Sequence, residues 1–300
     1  MMLPDRVRVV EVGPRDGFQN LPPIDTEIKY QIISGLIEAG IKEMEITSFV
    51  SPKAIPQMAD AKELAVRVVN EFGDRPNLNL MALVPNLKGA QAALEAGITT
   101  ATYVISASEQ HSLKNVRKTT AESLADLKQL LREFPQLKVR LDIATAFGCP
   151  FLGSIPEADV LKLASVAAQA GVVEIILCDT IGTGNPVQVH SLAQKAMRIG
   201  IPMGLHLHDT RGLGLANTLA GLQAGVAMFE TSVAALGGCP FAPGASGNTA
   251  TEDLLNLLAS LGLDTGVSME RYLQAVDQVI KDVLPTAGGH MAKVPRNPCC

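Results

Sequence analysis

Short runs rich in β-branched residues alternate with longer amphipathic stretches along the whole chain, and this alternation constrains the fold more than any single motif. The strand-like runs are Val7–Val12, Glu43–Thr47, Leu78–Val84, Ala101–Ile105, Lys138–Ala144, Val173–Cys178, Met203–His208 and Ala227–Val233. Apolar residues recur at helical spacing over Thr26–Ala39, Gln57–Glu71, Asn86–Ala96, Thr120–Glu133, Pro156–Ala170, Pro186–Arg198, Leu213–Ala224 and Thr249–Leu261. Gly40, Gly97, Gly171 and Gly225 follow helix ends, where a left-handed residue closes the helix and feeds the next strand. Strand-then-helix units that repeat without a linker predict an α/β chain folded as a (β/α)8 TIM barrel over residues 1–285. One or two extra C-terminal helices around Met269–Val283 cap it, and residues 286–300 read as a flexible tail. A doubly wound open sheet is the alternative. It would be unusually large, and no G-x-G-x-x-G follows the first strand.

Composition excludes several classes. The chain has 300 residues, 47% of them hydrophobic and 18% charged, which suits one large core under a modest polar surface. A net charge of −5 and the absence of tryptophan argue against nucleic-acid binding. No secretory leader, transit peptide or bilayer-length apolar stretch is visible, so the expected setting is soluble and cytoplasmic, without a membrane partner. The five cysteines (149, 178, 239, 299 and 300) are odd in number and scattered, unlike a disulfide framework.

In a barrel of this kind the active site lies at the C-terminal ends of the strands. The unusual polar residues fall there. Arg15 and Asp16 follow strand one, Glu45 is near the end of strand two, and Asp179 follows strand six. His206 and His208, two of five histidines, end strand seven, and spacing i, i+2 puts them on one face. Such a pair is often only packing. Asp16 on the same rim turns it into a metal site with a carboxylate ligand, and Arg15 becomes an oxyanion partner. Asp209 alternates away and reads as a loop residue. Gly237 through Asn248 form a long Gly/Pro loop of the length that often serves as a lid. In it, Cys239 is placed to be accessible and Asn248 offers an amide oxygen. Two imidazole nitrogens and two oxygens, completed by water or substrate, suit Mg²⁺ or Mn²⁺ better than zinc.

These segments carry a pattern. Gly13-Pro14-Arg15-Asp16-Gly17, Thr47-Ser48-Phe49-Val50-Ser51-Pro52-Lys53, Pro85-Asn86-Leu87-Lys88-Gly89, Gly148-Cys149-Pro150 and Asp179-Thr180-Ile181-Gly182 resemble the 3-hydroxy-3-methylglutaryl-CoA lyase family, a group of metal-dependent barrel lyases. So do His206-Leu207-His208-Asp209-Thr210 and the stretch from Gly237-Gly238-Cys239-Pro240 through Asn248 to Leu254. The resemblance runs through nearly the whole chain in order, and the Gly-Cys loop is its most specific part.

The resemblance implies that Asp16, His206, His208 and Asn248 bind the cation and that Arg15 stabilises the enolate of departing acetyl-CoA. It implies that Cys239 transfers a proton, and it places Glu45 and Asp179 in or beside the site. The implied reaction is metal-dependent retro-Claisen cleavage of 3-hydroxy-3-methylglutaryl-CoA to acetyl-CoA and acetoacetate, with Asp16 or His206 as the base. Citramalyl-CoA and 3-substituted glutaryl-CoA are alternative substrates. A condensing synthase and a barrel that binds CoA esters without turnover fit less well. Barrel lyases of this type are often dimers, which extends the expectation to a homodimer or higher homo-oligomer. Several positions depart from the family pattern: Arg211 stands where tyrosine is usual, Phe18 where leucine is, and Asp142–Phe147 and Thr183–Asn185 also differ. Glu252 and Asp253 suit a helix N-terminus on charge alone, and Lys53 and Lys88 read as solvated lysines near enough to meet CoA phosphates.

Overall fold

The computed structural model describes residues 3–237 and 247–296; Cys239, Cys299 and Cys300 lie outside them. Eight parallel strands close on themselves in sequence order: β1 (Arg8–Glu11), β2 (Glu43–Ser48), β3 (Asn79–Leu83), β4 (Thr100–Ser106), β5 (Lys138–Ala144), β6 (Glu174–Cys178), β7 (Met203–His206) and β8 (Met228–Thr231). β8 returns to β1 through pairs from Arg8↔Met228 to Glu11↔Thr231. The expected barrel is the observed one. Around it run α1 (Thr26–Glu38), α2 (Ala61–Phe72), α3 (Leu87–Glu95), α4 (Glu109–Val116), α5 (Thr120–Glu133), α6 (Glu157–Ala170), α7 (Pro186–Ala196), α8 (Gly214–Gln223), α9 (Thr251–Ser260) and α10 (Met269–Asp282). Among the described residues, no helix is long and apolar enough to cross a membrane.

Local sequence sets the helix starts. Thr119 and Glu122 close a reciprocal capping box on α5, and Asn185 with Gln188 does the same on α7, whose first residue is Pro186. α4 was not expected from periodicity. It is short, carries a polar run, and starts at Ser108, whose side chain caps His111 N–H.

The main core lies between the sheet and the helices. A second apolar cluster of Val10, Val12, Met81, Ile176, Cys178 and Met228 lies inside the barrel. The strand register stacks inward side chains in layers drawn alternately from odd and even strands. One layer holds Val10, Met81, Arg140 and Gly204. Above it come Glu45, Thr102, Ile176 and Glu230, then Val12, Leu83, Asp142 and His206. Five of these twelve positions, four of them in the upper two layers, are charged or imidazole-bearing, so this barrel is filled with polar groups where its site begins.

One expectation is corrected. Strand seven was expected to reach His208, but the ladder stops at His206 and His208 makes an antiparallel bridge to Asn248. Within the segment from 286, residues 289–296 make contacts with α9 and α10. Gly289 N–H donates to Glu252 (2.8 Å), His290 and Met291 N–H to Asp253 (both 2.8 Å), and Arg296 pairs with Asp277. Glu252 also accepts Ala234 N–H at 3.1 Å. Ala234 and Ala235 hold φ of 54° and 52°, a left-handed conformation uncommon for alanine, so this carboxylate braces the turn that leaves β8.

Burial pushes the Glu252 carboxyl up to about 7 from an ordinary 4.5, against the N–H groups that favour its anion. The folded protein therefore holds this proton more tightly than the unfolded chain. Its stabilising contribution is complete below pH 4.5 and is lost as pH rises through about 7. Glu252→Gln is expected to remove that slope, amounting to about 3 kcal/mol over the window. Parallel unfolding curves for parent and variant from pH 4.5 to 7.5 would contradict it.

Candidate metal centre

The site begins in the turn after β1. Gly13–Gly17 form one π-helical turn in which Arg15 and Asp16 N–H both reach Val12 O, at 3.1 and 2.7 Å. The turn is pinned by Glu11, fully buried at the end of β1. Glu11 accepts the N–H groups of Gly13 and Val233 and the hydroxyls of Thr251 and Tyr272. One carboxylate thus fixes the turn that carries Arg15 and Asp16 to the exit of β8 and to α9 and α10.

β7 and β8 supply the imidazole side. His206 Nδ1 lies 3.0 Å from Glu230 Oε2, and His206 Nε2 lies 3.2 Å from His208 Nε2. A carboxylate on Nδ1 fixes the tautomer with its proton there and leaves Nε2 as a lone pair facing the site. Asn248 Nδ2 donates to Asp16 Oδ2 (2.7 Å) and Leu236 O (2.9 Å), which turns Oδ1 the other way. That Oδ1 is buried and has no hydrogen-bond partner among the described residues. Gly237, at φ 109°, allows this: a Cβ there would stand 2.3 Å from Asn248 Nδ2.

One ligand atom each from Asp16, His206 and His208 can be chosen so that all lie within 4.8 Å of one another. With the orphaned Asn248 oxygen, the donors are two imidazoles, a carboxylate and an amide. This set fits a divalent cation that keeps open positions for oxygen ligands. Burial raises the Asp16 carboxyl, but Arg15, His206 and the Asn248 amide overcome it and hold it at about 2. Burial and then the positive His206 push His208 down to about 3, which favours the neutral ring a metal requires. Burial lowers His206 too, yet the hydrogen bond and charge of Glu230 carry it above its ordinary value.

Glu45, on β2, is buried and holds Arg15 through Nε, while Arg15 Nη1 reaches Asp16 at 2.7 Å. The guanidinium is thus clamped by two carboxylates. Asp179 accepts Thr183 and Gly184 N–H at 2.9 and 3.0 Å, so it staples the loop after β6, and burial lifts its carboxyl to about 6. Arg211 donates to the carbonyls of Ile181 and Gly182, tying the loops after β6 and β7 together. Asp209 accepts Gly214 N–H and is a loop residue as expected. Phe18 is fully buried in the outer core, and Lys53 and Lys88 are exposed. Cys239 lies outside the described residues.

Sequence reasoning missed the inward charges of the barrel. Arg140 pairs with Glu174 (2.8 Å) and Glu230 (2.7 Å), and Arg8 continues to Glu174 (2.7 Å) and Glu43 (2.6 Å). Asp142 stands two residues beyond Arg140. The available signal was a charged residue at every second position of an otherwise apolar strand, as in Arg140-Leu141-Asp142.

A closed β/α barrel with a buried cation-fit cluster on its C-terminal rim defines a barrel enzyme built around a metal centre. A family model described as HMGL-like matches residues 6–279, and the chain belongs to that family. It is 43% identical over 281 residues to a hydroxymethylglutaryl-CoA lyase of Bacillus subtilis (strain 168), covering 92% of each chain. The mitochondrial hydroxymethylglutaryl-CoA lyase of Homo sapiens is 43% identical over 279 residues, covering 91% of this chain and 84% of that one. Among solved structures, the Pseudomonas aeruginosa hydroxymethylglutaryl-CoA lyase superposes with a TM-score of 0.93 at 39% identity, covering 98% of each chain. An Acinetobacter baumannii HMG-CoA lyase in complex with coenzyme A and 3-methylmalate gives 0.92 at 37% identity, covering 99% of this chain and 97% of that one.

The geometry lets His208 serve as a ligand and sets Glu230 against His206 Nδ1. His208→Ala is expected to abolish measurable Mg²⁺ or Mn²⁺ binding by calorimetry, and Glu230→Gln to weaken it by roughly 10- to 100-fold. Unchanged affinity in either variant removes that residue from its role.

Proposed function

We propose that the protein cleaves 3-hydroxy-3-methylglutaryl-CoA to acetyl-CoA and acetoacetate, as a carbon–carbon lyase. The observation that carries this reading is the juxtaposition of a cation-fit donor set with a clamped guanidinium, Asp16 being shared by both. Similarity to hydroxymethylglutaryl-CoA lyases, one of them solved in complex with coenzyme A, supports an acyl-CoA substrate.

In this reading Asp16, His206, His208 and Asn248 hold Mg²⁺ or Mn²⁺, which when bound lowers the pKa of the substrate's 3-hydroxyl and orients it. Asp16 or His206 accepts the hydroxyl proton. The C2–C3 bond then breaks, its electron pair passing to the thioester side as an enolate while C3 becomes the ketone carbon of acetoacetate. Arg15, held in place by Glu45, faces the enolate oxygen and stabilises the charge that develops there. Cys239 delivers a proton to the enolate carbon, completing acetyl-CoA. Asp179 acts at one remove, by fixing the loop after β6. Cytoplasmic placement and association as a homodimer or higher homo-oligomer belong to the same proposal; light scattering measures the second.

A panel of 3-hydroxy-acyl-CoA thioesters, assayed for acetyl-CoA release with Mg²⁺ or Mn²⁺ and again with EDTA, tests the reaction. The 3-hydroxy-3-methylglutaryl thioester is expected to turn over fastest, and EDTA to stop it. No metal-dependent release from any thioester would sink the proposal. Cys239→Ser is expected to keep cation affinity and lose most turnover; cleavage at the parent rate would show that Cys239 is not the proton donor.

A further inference from the structure

Asn248 lies between β8 and α9, and its amide is aimed by Leu236 O and Asp16 Oδ2. Leu236 closes the turn that contains the two left-handed alanines, Ala234 and Ala235. Inside the turn, Ala235 and Leu236 N–H donate to Ser232 O and Val233 O, both at 3.1 Å. Backbone held in so sparsely populated a region persists only where its surroundings fix it.

The fixing comes from the far end of the chain. Four consecutive N–H groups, those of Gly288, Gly289, His290 and Met291, are directed at the exit of β8 and the start of α9. Gly288 N–H donates to Ala234 O at 2.8 Å. Gly289 N–H meets Glu252 Oε1, while Glu252 Oε2 accepts Ala234 N–H. Both polar groups of Ala234 are therefore held from residues 288 and 289, one directly and one through Glu252. The same segment bears on the chain beyond Asn248. Gly289 lies against Ala250: a Cβ there would stand 2.6 Å from Ala250 Cβ and 2.6 Å from Asp253 Oδ2. Gly288 holds φ 118°, which favours glycine. Ala250 is itself bridged to Ser232, so the two sides of the Asn248 segment are joined where the glycines touch them.

We propose that Gly288 and Gly289 are positioning residues of the metal centre. They clamp the chain on both sides of Asn248 and so hold its amide oxygen in place beside Asp16, His206 and His208. This rests on the cation site of the lyase reading above. A side chain at residue 289 pushes the segment off Ala250 and Asp253. The hold on Ala234 loosens, Leu236 O shifts, and the amide loses the acceptor that orients it. The barrel ladder closes without this segment, so the fold survives while the donor set degrades.

The test reads Mn²⁺ affinity by calorimetry in the parent, Gly289→Val, Asn248→Ala and the double variant. Gly289→Val is expected to weaken binding by roughly 10-fold in the parent background. With Asn248 already replaced, the same change is expected to cost less than about twofold, because the clamp acts through that residue. His290→Ala removes only an exposed ring from Asp253 and is expected to stay within about twofold of the parent. Thermal unfolding without cation checks that each variant is folded, and Gly289→Ala replaces the valine variant if that one is not. Parent affinity in folded Gly289→Val overturns the inference, as does an equal loss with and without Asn248. A parent that binds Mn²⁺ yet releases no acetyl-CoA overturns the lyase reaction and leaves the clamp standing on the affinity cycle. A parent that binds no Mn²⁺ overturns the metal centre and the clamp together.

Discussion

The site depends on a string of ion pairs that runs inside the barrel. His206 can present Nε2 because Glu230 holds its Nδ1. Glu230 can remain a buried anion because Arg140 pairs with it, and burial is overcome so far that its carboxyl stays at about 2. Arg140, whose side chain is 1% exposed, needs a second carboxylate and finds Glu174. Glu174 is shared in turn with Arg8, which is partly open to solvent. Each link is required by the one above it, because an unpaired charge in a low-dielectric interior costs several kcal/mol. Buried ion pairs seldom stabilise a fold better than well-packed apolar side chains would. Their place in this barrel is therefore best explained by what they orient, the imidazole at the top.

The same reasoning accounts for how the rim is assembled. Asp16, Asn248 and Gly237 come from the turn after β1 and the two ends of the segment that follows β8. They meet because Glu11 draws the exits of β1 and β8 to one buried carboxylate. The His208–Asn248 bridge then sets the amide against Asp16. The chain leaves the β7 ladder after His206, and His206 and His208 stand 3.2 Å apart between their Nε2 atoms.

Much of this was legible in the sequence, for definite reasons. The strand and helix periods differ, and each strand is flanked by turn residues, so the barrel could be read without knowing any contact. Asp16, His206, His208 and Asn248 were legible because they fall at the strand ends where barrel sites lie, and because their motifs resemble a known family. Arg140, Asp142 and Glu230 were not. In a parallel barrel both faces of a strand are buried, so the pattern does not say which face looks inward. Nor does it say which charge on another strand will answer it. The docking of Gly289–Met291 on Glu252 and Asp253 was also invisible, because the donors are backbone N–H groups with no sequence signature.

The layers divide the proposed chemistry between two sides of the barrel. β7, its exit, the segment after β8 and the turn after β1 contribute two imidazoles, an amide and a carboxylate; Glu230 fixes His206, and Leu236 O with Asp16 fixes the Asn248 amide. β2 contributes Glu45, with Arg15 reaching over from the same turn to lie against it. Asp16 touches both halves: one oxygen meets Arg15 and the other meets Asn248. A shift of this single side chain would move the guanidinium and the amide ligand together. The hydroxyl end and the thioester end of a substrate must be held in register for a C–C bond between them to break, and a shared carboxylate is a direct way to couple the two positions.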